Sequence, residues 1–442
     1  MKRTCSQLLL FVAGFGTLAA MQCRMVAAQT ALPIPAHPSR GLPLPGEPST
    51  TDWTRHYSCD LVEQGEGEPV PTLIPERLHH IGPIVGEYIY TGEVFNNARG
   101  GLNTNDATLY RGNLDLVFTL DTEAAGLWSG GRLLVYANQF HGRTLSLEDV
   151  GDVQFYSNIE GDPRPADTFQ LNEYWYEQVS ADGRILTKVG KQDANADFAY
   201  VDLGGDFVHS SFGQIPTVPL PTWPNPGLGI AVIADVSDVL HLKGGIYDGT
   251  ATTGPSTGGR SGFESLGDYG MMLLSEVLIT SSLAEDEALT GAYRVGAWYH
   301  SDNFDDLRPG ATDPFRENYG MYLGIDQLLW LERCSDDSAQ GLGVFFQFGW
   351  APSDRNEIDL YLGGGLTYQG LAPGRPDDLF GVGIANAGFR DQTLDPERAV
   401  ELFYKFQLTP CSSLQPDLQY ISNPAGSIDD ALVIGLRTEV VL

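Results

Sequence analysis

Segments of roughly ten residues, alternating apolar and polar at period two, recur from about Gly86 to the end of this 442-residue chain. Val400-Glu401-Leu402-Phe403-Tyr404-Lys405-Phe406-Gln407-Leu408 alternates except at Phe403, and the stretch from Leu414 to Tyr420 repeats the pattern. From Ala431 onward, Leu432, Ile434, Leu436 and Val440 share one face, while Arg437 and Glu439 share the other. Such segments are strands with one apolar and one polar face. A chain that ends inside a strand leaves that strand needing a neighbour on both sides, which a closed barrel supplies.

Candidate strands run from 86–95 and 111–121, through 168–179, 268–277 and 318–329, to 399–409, 412–421 and 430–442. They number roughly sixteen, an even count as single-chain outer-membrane barrels have, and each is close to the length of a tilted membrane strand. The connections alternate in length. His141 to Asp167 and Ala194 to Asn225 are long, whereas Ser180-Ala181-Asp182-Gly183 and Thr409-Pro410-Cys411 are tight. A soluble sandwich has no reason to sort loop length by parity, but an up-and-down barrel with short periplasmic turns and long outer loops does. The fold expected is therefore all-β: a transmembrane antiparallel up-and-down β-barrel of about sixteen strands.

The ends and the composition agree. Met1-Lys2-Arg3, the apolar Leu8 to Ala20 and the small residues Val26-Ala27-Ala28 predict a signal peptide over 1–28. Residues 29–85, rich in Pro and Gly, read as an N-terminal extension without a core of its own, and 86–442 as the barrel. A net charge of -31 excludes nucleic acid as a partner. Of five cysteines, Cys59, Cys334 and Cys411 lie beyond the signal, too far apart for a disulfide framework or a metal site. No HExxH, GxSxG or P-loop is present, so no metal or cofactor is expected.

Burying Arg or Lys in mid-strand against lipid costs about 2–4 kcal/mol near the bilayer midplane, so parity decides which charges face water. It turns Asp115, Glu173, Trp175, Lys188, Lys243, Arg294, Trp298, Asp326, Lys405, Asp417, Gln419 and Arg437 towards the lumen as pore-lining candidates. The alternative for each charge is a wall residue paired with a neighbour. Tyr88, Tyr90, Trp128, Trp298, Tyr299, Trp350, Phe380 and Tyr420, near strand ends, suit interfacial girdles. The acidic surplus falls in the long loops, as in Ser301-Asp302-Asn303-Phe304-Asp305-Asp306, where it would disfavour anions at the mouth. Two rival readings are a non-conducting envelope scaffold and a secreted glycosidase using Glu173 and Glu177. At four residues along a strand those carboxylates sit about 13 Å apart on the backbone, too far for a hydrolytic pair.

Several stretches resemble the carbohydrate-selective porins of the OprB (glucose porin) type. They are Tyr90-Thr91-Gly92-Glu93-Val94-Phe95, Glu173-Tyr174-Trp175-Tyr176-Glu177-Gln178, Val189-Gly190-Lys191-Gln192-Asp193 and Ser210-Ser211-Phe212-Gly213. Pro373-Gly374-Arg375-Pro376-Asp377-Asp378 and the ending, Leu414-Gln415-Pro416-Asp417-Leu418-Gln419-Tyr420 with Asp430-Ala431-Leu432-Val433-Ile434-Gly435-Leu436-Arg437, continue the match in order. The departures are the Pro-rich leader and Leu442, where an aromatic is expected. The resemblance implies an outer-membrane barrel admitting glucose and other mono- or oligosaccharides by passive diffusion, past a constriction of charged and aromatic side chains. The partners expected are outer-membrane lipid and the barrel-assembly machinery, with homo-oligomer formation left open.

Overall fold

The computed structural model describes residues 79–160, 167–249, 261–263, 266–283, 289–332 and 340–441. The expected signal peptide, nearly all of the extension, Cys59, Cys334 and Leu442 lie outside them. The strands are β1 (His80–Ile81), β2 (Ile84–Arg99), β3 (Thr108–Asp121), β4 (Gly131–Gly142), β5 (Asp167–Val179), β6 (Ile185–Gln192), β7 (Gly227–Asp235), β8 (Leu240–Asp248) and β9 (Met271–Ser282). They continue as β10 (Thr290–His300), β11 (Asn318–Leu331), β12 (Gly341–Trp350), β13 (Ile358–Gln369), β14 (Leu379–Phe389), β15 (Glu397–Thr409), β16 (Ser412–Ser422) and β17 (Ala431–Val441).

From β2 to β17 each strand pairs antiparallel with the next, and β17 closes on β2 with Leu436 opposite Val94 and Val440 opposite Tyr90. The result is a closed antiparallel barrel of sixteen strands, with β1 as a short addition paired to the start of β2. Closure leaves no strand edge exposed to lipid, which is what a sheet needs in order to cross a bilayer. The barrel begins at Ile84, two positions before Gly86.

The expected strand at 268–277 is displaced to β9. Gly270, at φ +71°, ends the preceding loop, and the strand starts only at Met271. Its inward residues Met272, Leu274 and Leu278 are apolar and buried, with Glu276 the one charge among them, so the polar phase that marks the other strands is weak here.

Outward positions carry the apolar belt. Leu402, Val400 and Phe406 on β15, Ile434 on β17 and Val295 on β10 are exposed, while Glu401, Phe403 and Lys405 between them are buried inside. Phe403 breaks the alternation because it belongs to an interior cluster. It packs on Phe207 at 4.9 Å between ring centres, and Phe207 also meets Phe212 at 4.5 Å and Phe345 at 5.3 Å. Trp298, expected also in an aromatic girdle, points inward and is buried, because it shares the parity of Arg294 rather than that of Tyr299. Inward rings lie over glycines of the neighbouring strand: a Cβ on Gly435 would collide with Phe95, and one on Gly296 with Tyr322.

The long connections do join strands at one end of the barrel, but two of them are not outer loops. Residues 143–160, between β4 and β5, and 193–226, between β6 and β7, fold into the barrel. Leu145, Val150, Phe198, Val208, Phe212 and Ile215 on them are fully buried and form one cluster with inward wall residues such as Phe95, Tyr322, Phe345 and Phe403. The hydrophobic core of the molecule therefore lies inside the barrel, between wall and inner segments.

Leu402→Arg, at an outward mid-strand position, is expected to destabilise the folded barrel by about 2–4 kcal/mol. Urea titration of refolding into lipid vesicles measures it, and a change near zero would mean that this face does not meet lipid.

Candidate functional site

The inner segments need partners for backbone groups that no sheet satisfies, and inward wall side chains supply them. Glu276 on β9 accepts the Ala199 N–H at 2.9 Å. Asp326 on β11 accepts the N–H groups of Asp202 and Leu203 at 3.0 and 2.9 Å. Glu401 on β15 accepts those of Val208 and His209 at 2.7 and 2.9 Å, and Glu397 those of Val153 and Gln154 at 2.9 and 3.0 Å. Tyr361 and Gln347 donate to the carbonyls of Ser211 and Phe212.

Most of the lumen candidates serve the same docking. Lys243 binds Glu276 at 2.8 Å and donates to the Asp197 carbonyl at 2.7 Å. Arg294 bridges Asp326 at 2.6 Å and Asp202 at 2.7 Å, with its guanidinium 4.2 Å from the Tyr200 ring centre. Lys405 pairs with Asp206 at 2.8 Å, and Gln419 donates to the Tyr156 carbonyl at 2.8 Å and to Asp417 at 3.1 Å. Arg437 donates to Glu93 across the closing seam at 2.7 Å and to Asn158 at 2.5 Å. All of these wall residues are buried. The charges are paired, as the alternative reading of each allowed, but with inner segments as often as with neighbouring strands.

The remaining candidates gather on the inward wall of β3–β6. Trp175 has Arg132 and Lys188 over its ring at 5.3 and 5.1 Å. Glu173 accepts the Trp175 indole N–H at 3.1 Å and the Asp193 backbone N–H at 3.0 Å. Asp115 accepts the Tyr136 hydroxyl at 2.5 Å and the Asn113 amide at 2.8 Å. In register, Arg132, Glu177 and Lys188 form one row across β4, β5 and β6; Arg132 bonds Glu177 at 2.9 Å and Lys188 pairs with Asp197. Val117, Leu134, Tyr136 and Trp175 make a separate small cluster beside that row. Arg132 and Tyr136 were missed by sequence reasoning although strand parity places them on this face, and Glu177 entered it only as the partner of Glu173 in the glycosidase reading. The inner residues Asp197, Tyr200, Asp202 and Asp206 carried no periodic signal at all.

Near the wall of β3, Glu160 accepts from the Ser146 N–H at 3.1 Å and its hydroxyl at 3.2 Å, and faces Arg111 at 3.9 Å. Burial pushes its carboxyl up to about 7, against the opposing pull of Arg111. Burial also pushes the nearby Asp152 carboxyl up, aided by the charges of Glu397 and Glu160.

The family model described as "Carbohydrate-selective porin, OprB family" matches residues 105–442. Porin B of Pseudomonas aeruginosa is 25% identical over 398 residues, covering 80% of this chain and 86% of that protein. The putative porin QuiX of Acinetobacter baylyi is 23% identical over 393 residues, 79% of this chain and 88% of that one. The high-pH structure of Pseudomonas putida OprB superposes with a TM-score of 0.72 at 23% identity, over 83% of this chain and 96% of the other. At that identity the likeness is one of fold.

Arg294→Ala would leave Asp202 and Asp326 facing each other without their cation. It is expected to weaken docking of residues 198–212 by about 3–5 kcal/mol, seen as new protease cleavage there in an otherwise folded barrel. For Glu160 the sign is set by its raised value. Below its ordinary 4.5 the group is protonated docked or undocked, so docking is at full strength there and weakens as pH rises through about 7. Hydrogen exchange over 143–160 should therefore gain protection at acid pH relative to Glu160→Gln. Parallel profiles for the two proteins would refute this.

Proposed function

Because this chain belongs to the OprB family of carbohydrate-selective porins, we propose that glucose and other neutral sugars diffuse passively through its lumen past the β3–β6 wall. The chain is an outer-membrane sugar porin and not an enzyme, as the family and the relatives are channels. The observation that carries the finer reading is the combination on that wall of two flat rings, Tyr136 and Trp175, with Asp115, Arg132, Glu173, Glu177 and Lys188 around them. A pyranose has an apolar face that suits an aromatic ring and equatorial hydroxyls that suit charged donors and acceptors at its rim. Both rings are largely buried, with Arg132 and Lys188 over Trp175, so a sugar would meet them only at the edge of the wall; contact that shallow is weak, as a passive pore needs so that the solute leaves.

Of the lumen candidates, Asp115, Glu173, Trp175 and Lys188 are the ones we assign to sugar contact. Lys243, Arg294, Asp326, Lys405, Asp417, Gln419 and Arg437 we assign to holding the inner segments, with Trp298 part of the interior packing. Export through a signal peptide at 1–28, insertion by the barrel-assembly machinery and a lipid-facing outer belt complete the proposal. The belt is supported by the exposed Val295, Leu402 and Ile434.

Glucose block of single-channel conductance tests the wall. Trp175→Ala is expected to raise the half-blocking glucose concentration by roughly tenfold, the loss of an aromatic contact worth about 1.4 kcal/mol, with Trp175→Phe in between. An unchanged block would move the sugar path away from β3–β6.

A further inference from the structure

Positive charge is abundant on the inner wall, yet none of it stands alone. Seven lysines and arginines on the inward face of the described strands have a carboxylate within ion-pair distance, from Arg111 with Glu160 to Arg437 with Glu93, while the buried Lys191 of β6 is held by the Leu171 carbonyl at 2.9 Å. All but Arg132 have side chains less than a tenth exposed; Arg132 is 26% exposed and is tied to Glu177 at 2.9 Å. The compensation exceeds one to one at Arg294, which serves both Asp326 and Asp202. The Asp202 side chain is 48% exposed while Arg294 is fully buried, so the negative end of that group faces water and the positive end does not.

We propose that the lumen rejects anions: it passes neutral sugars and amino sugars in preference to uronic acids and sugar phosphates. The proposal rests on the reading of the barrel as a sugar passage and names its charge class. An anionic solute entering a narrow low-dielectric passage must exchange hydration for a cation. Each of the seven paired cations already holds a buried carboxylate, which the solute would have to displace and leave unpaired. An ammonium sugar meets the opposite situation at Asp202. The acidic run Asp302, Asp305 and Asp306 in the β10–β11 connection and the net charge of -31 act in the same direction, by lowering the concentration of anions at the mouth.

The test uses the full-length protein in planar bilayers and in liposomes. Under a KCl gradient the reversal potential should give potassium over chloride permeability of about three or more. Swelling rates at low salt should place glucosamine and glucose above glucuronate by at least about threefold, with the gap narrowing as salt rises. Glu177→Gln, which releases the partly exposed Arg132, should bring the ion ratio towards one and raise glucuronate entry. Chloride preference in the native protein, or glucuronate entering as fast as glucose at low salt, would overturn the proposal. A conducting, potassium-selective barrel that admits no glucose would instead overturn the sugar reading while upholding the charge filter, so the two failures are told apart.

Discussion

A carboxylate on the barrel wall accepting a backbone N–H from an inner segment is the contact on which the interior depends. The segments at 143–160 and 193–226 have little regular structure, and a buried peptide group without a partner costs about 1–3 kcal/mol. Glu276, Asp326, Glu397 and Glu401 satisfy several such groups, two at a time on the last three. Their charges in turn need offsetting, and Lys243 and Arg294 stand beside Glu276 and Asp326 for that purpose. Wall charges in this barrel are thus one half of a network whose other half is an otherwise unpaired main chain.

The same arrangement explains what the sequence did and did not disclose. Strand number, the closing of β17 on β2 and the inward face of Lys405, Arg294 and Lys188 follow from period-two parity, because an error of one residue would put charge into lipid. Phe403 was the visible trace of the interior: an aromatic out of phase in an alternating strand, packed on Phe207, a residue with no periodic context. Phe345 sat in the polar phase of β12 for the same reason. What parity cannot see is whether an inward charge meets water or another piece of chain. That depends on where 193–226 runs, and its course is set by tertiary contacts rather than by local pattern.

Trp175 and Glu173 were legible as inward residues with chemistry suited to sugars, and their neighbours Arg132 and Glu177 obey the same parity. The row that joins Arg132, Glu177 and Lys188 exists only once three strands are placed in register, and single-strand patterns do not carry register. A group built across strands is therefore visible in the sequence as its separate members, not as a group.

The Arg437–Glu93 pair joins residues 344 positions apart, and the same guanidinium reaches Asn158 on an inner segment. Strand closure and interior docking are in this way made by one side chain, supplied by the last strand. Opening the seam would therefore release the inner segment as well, and loosening that segment would cost Arg437 one of its two partners, so the wall and its contents are held by a shared contact.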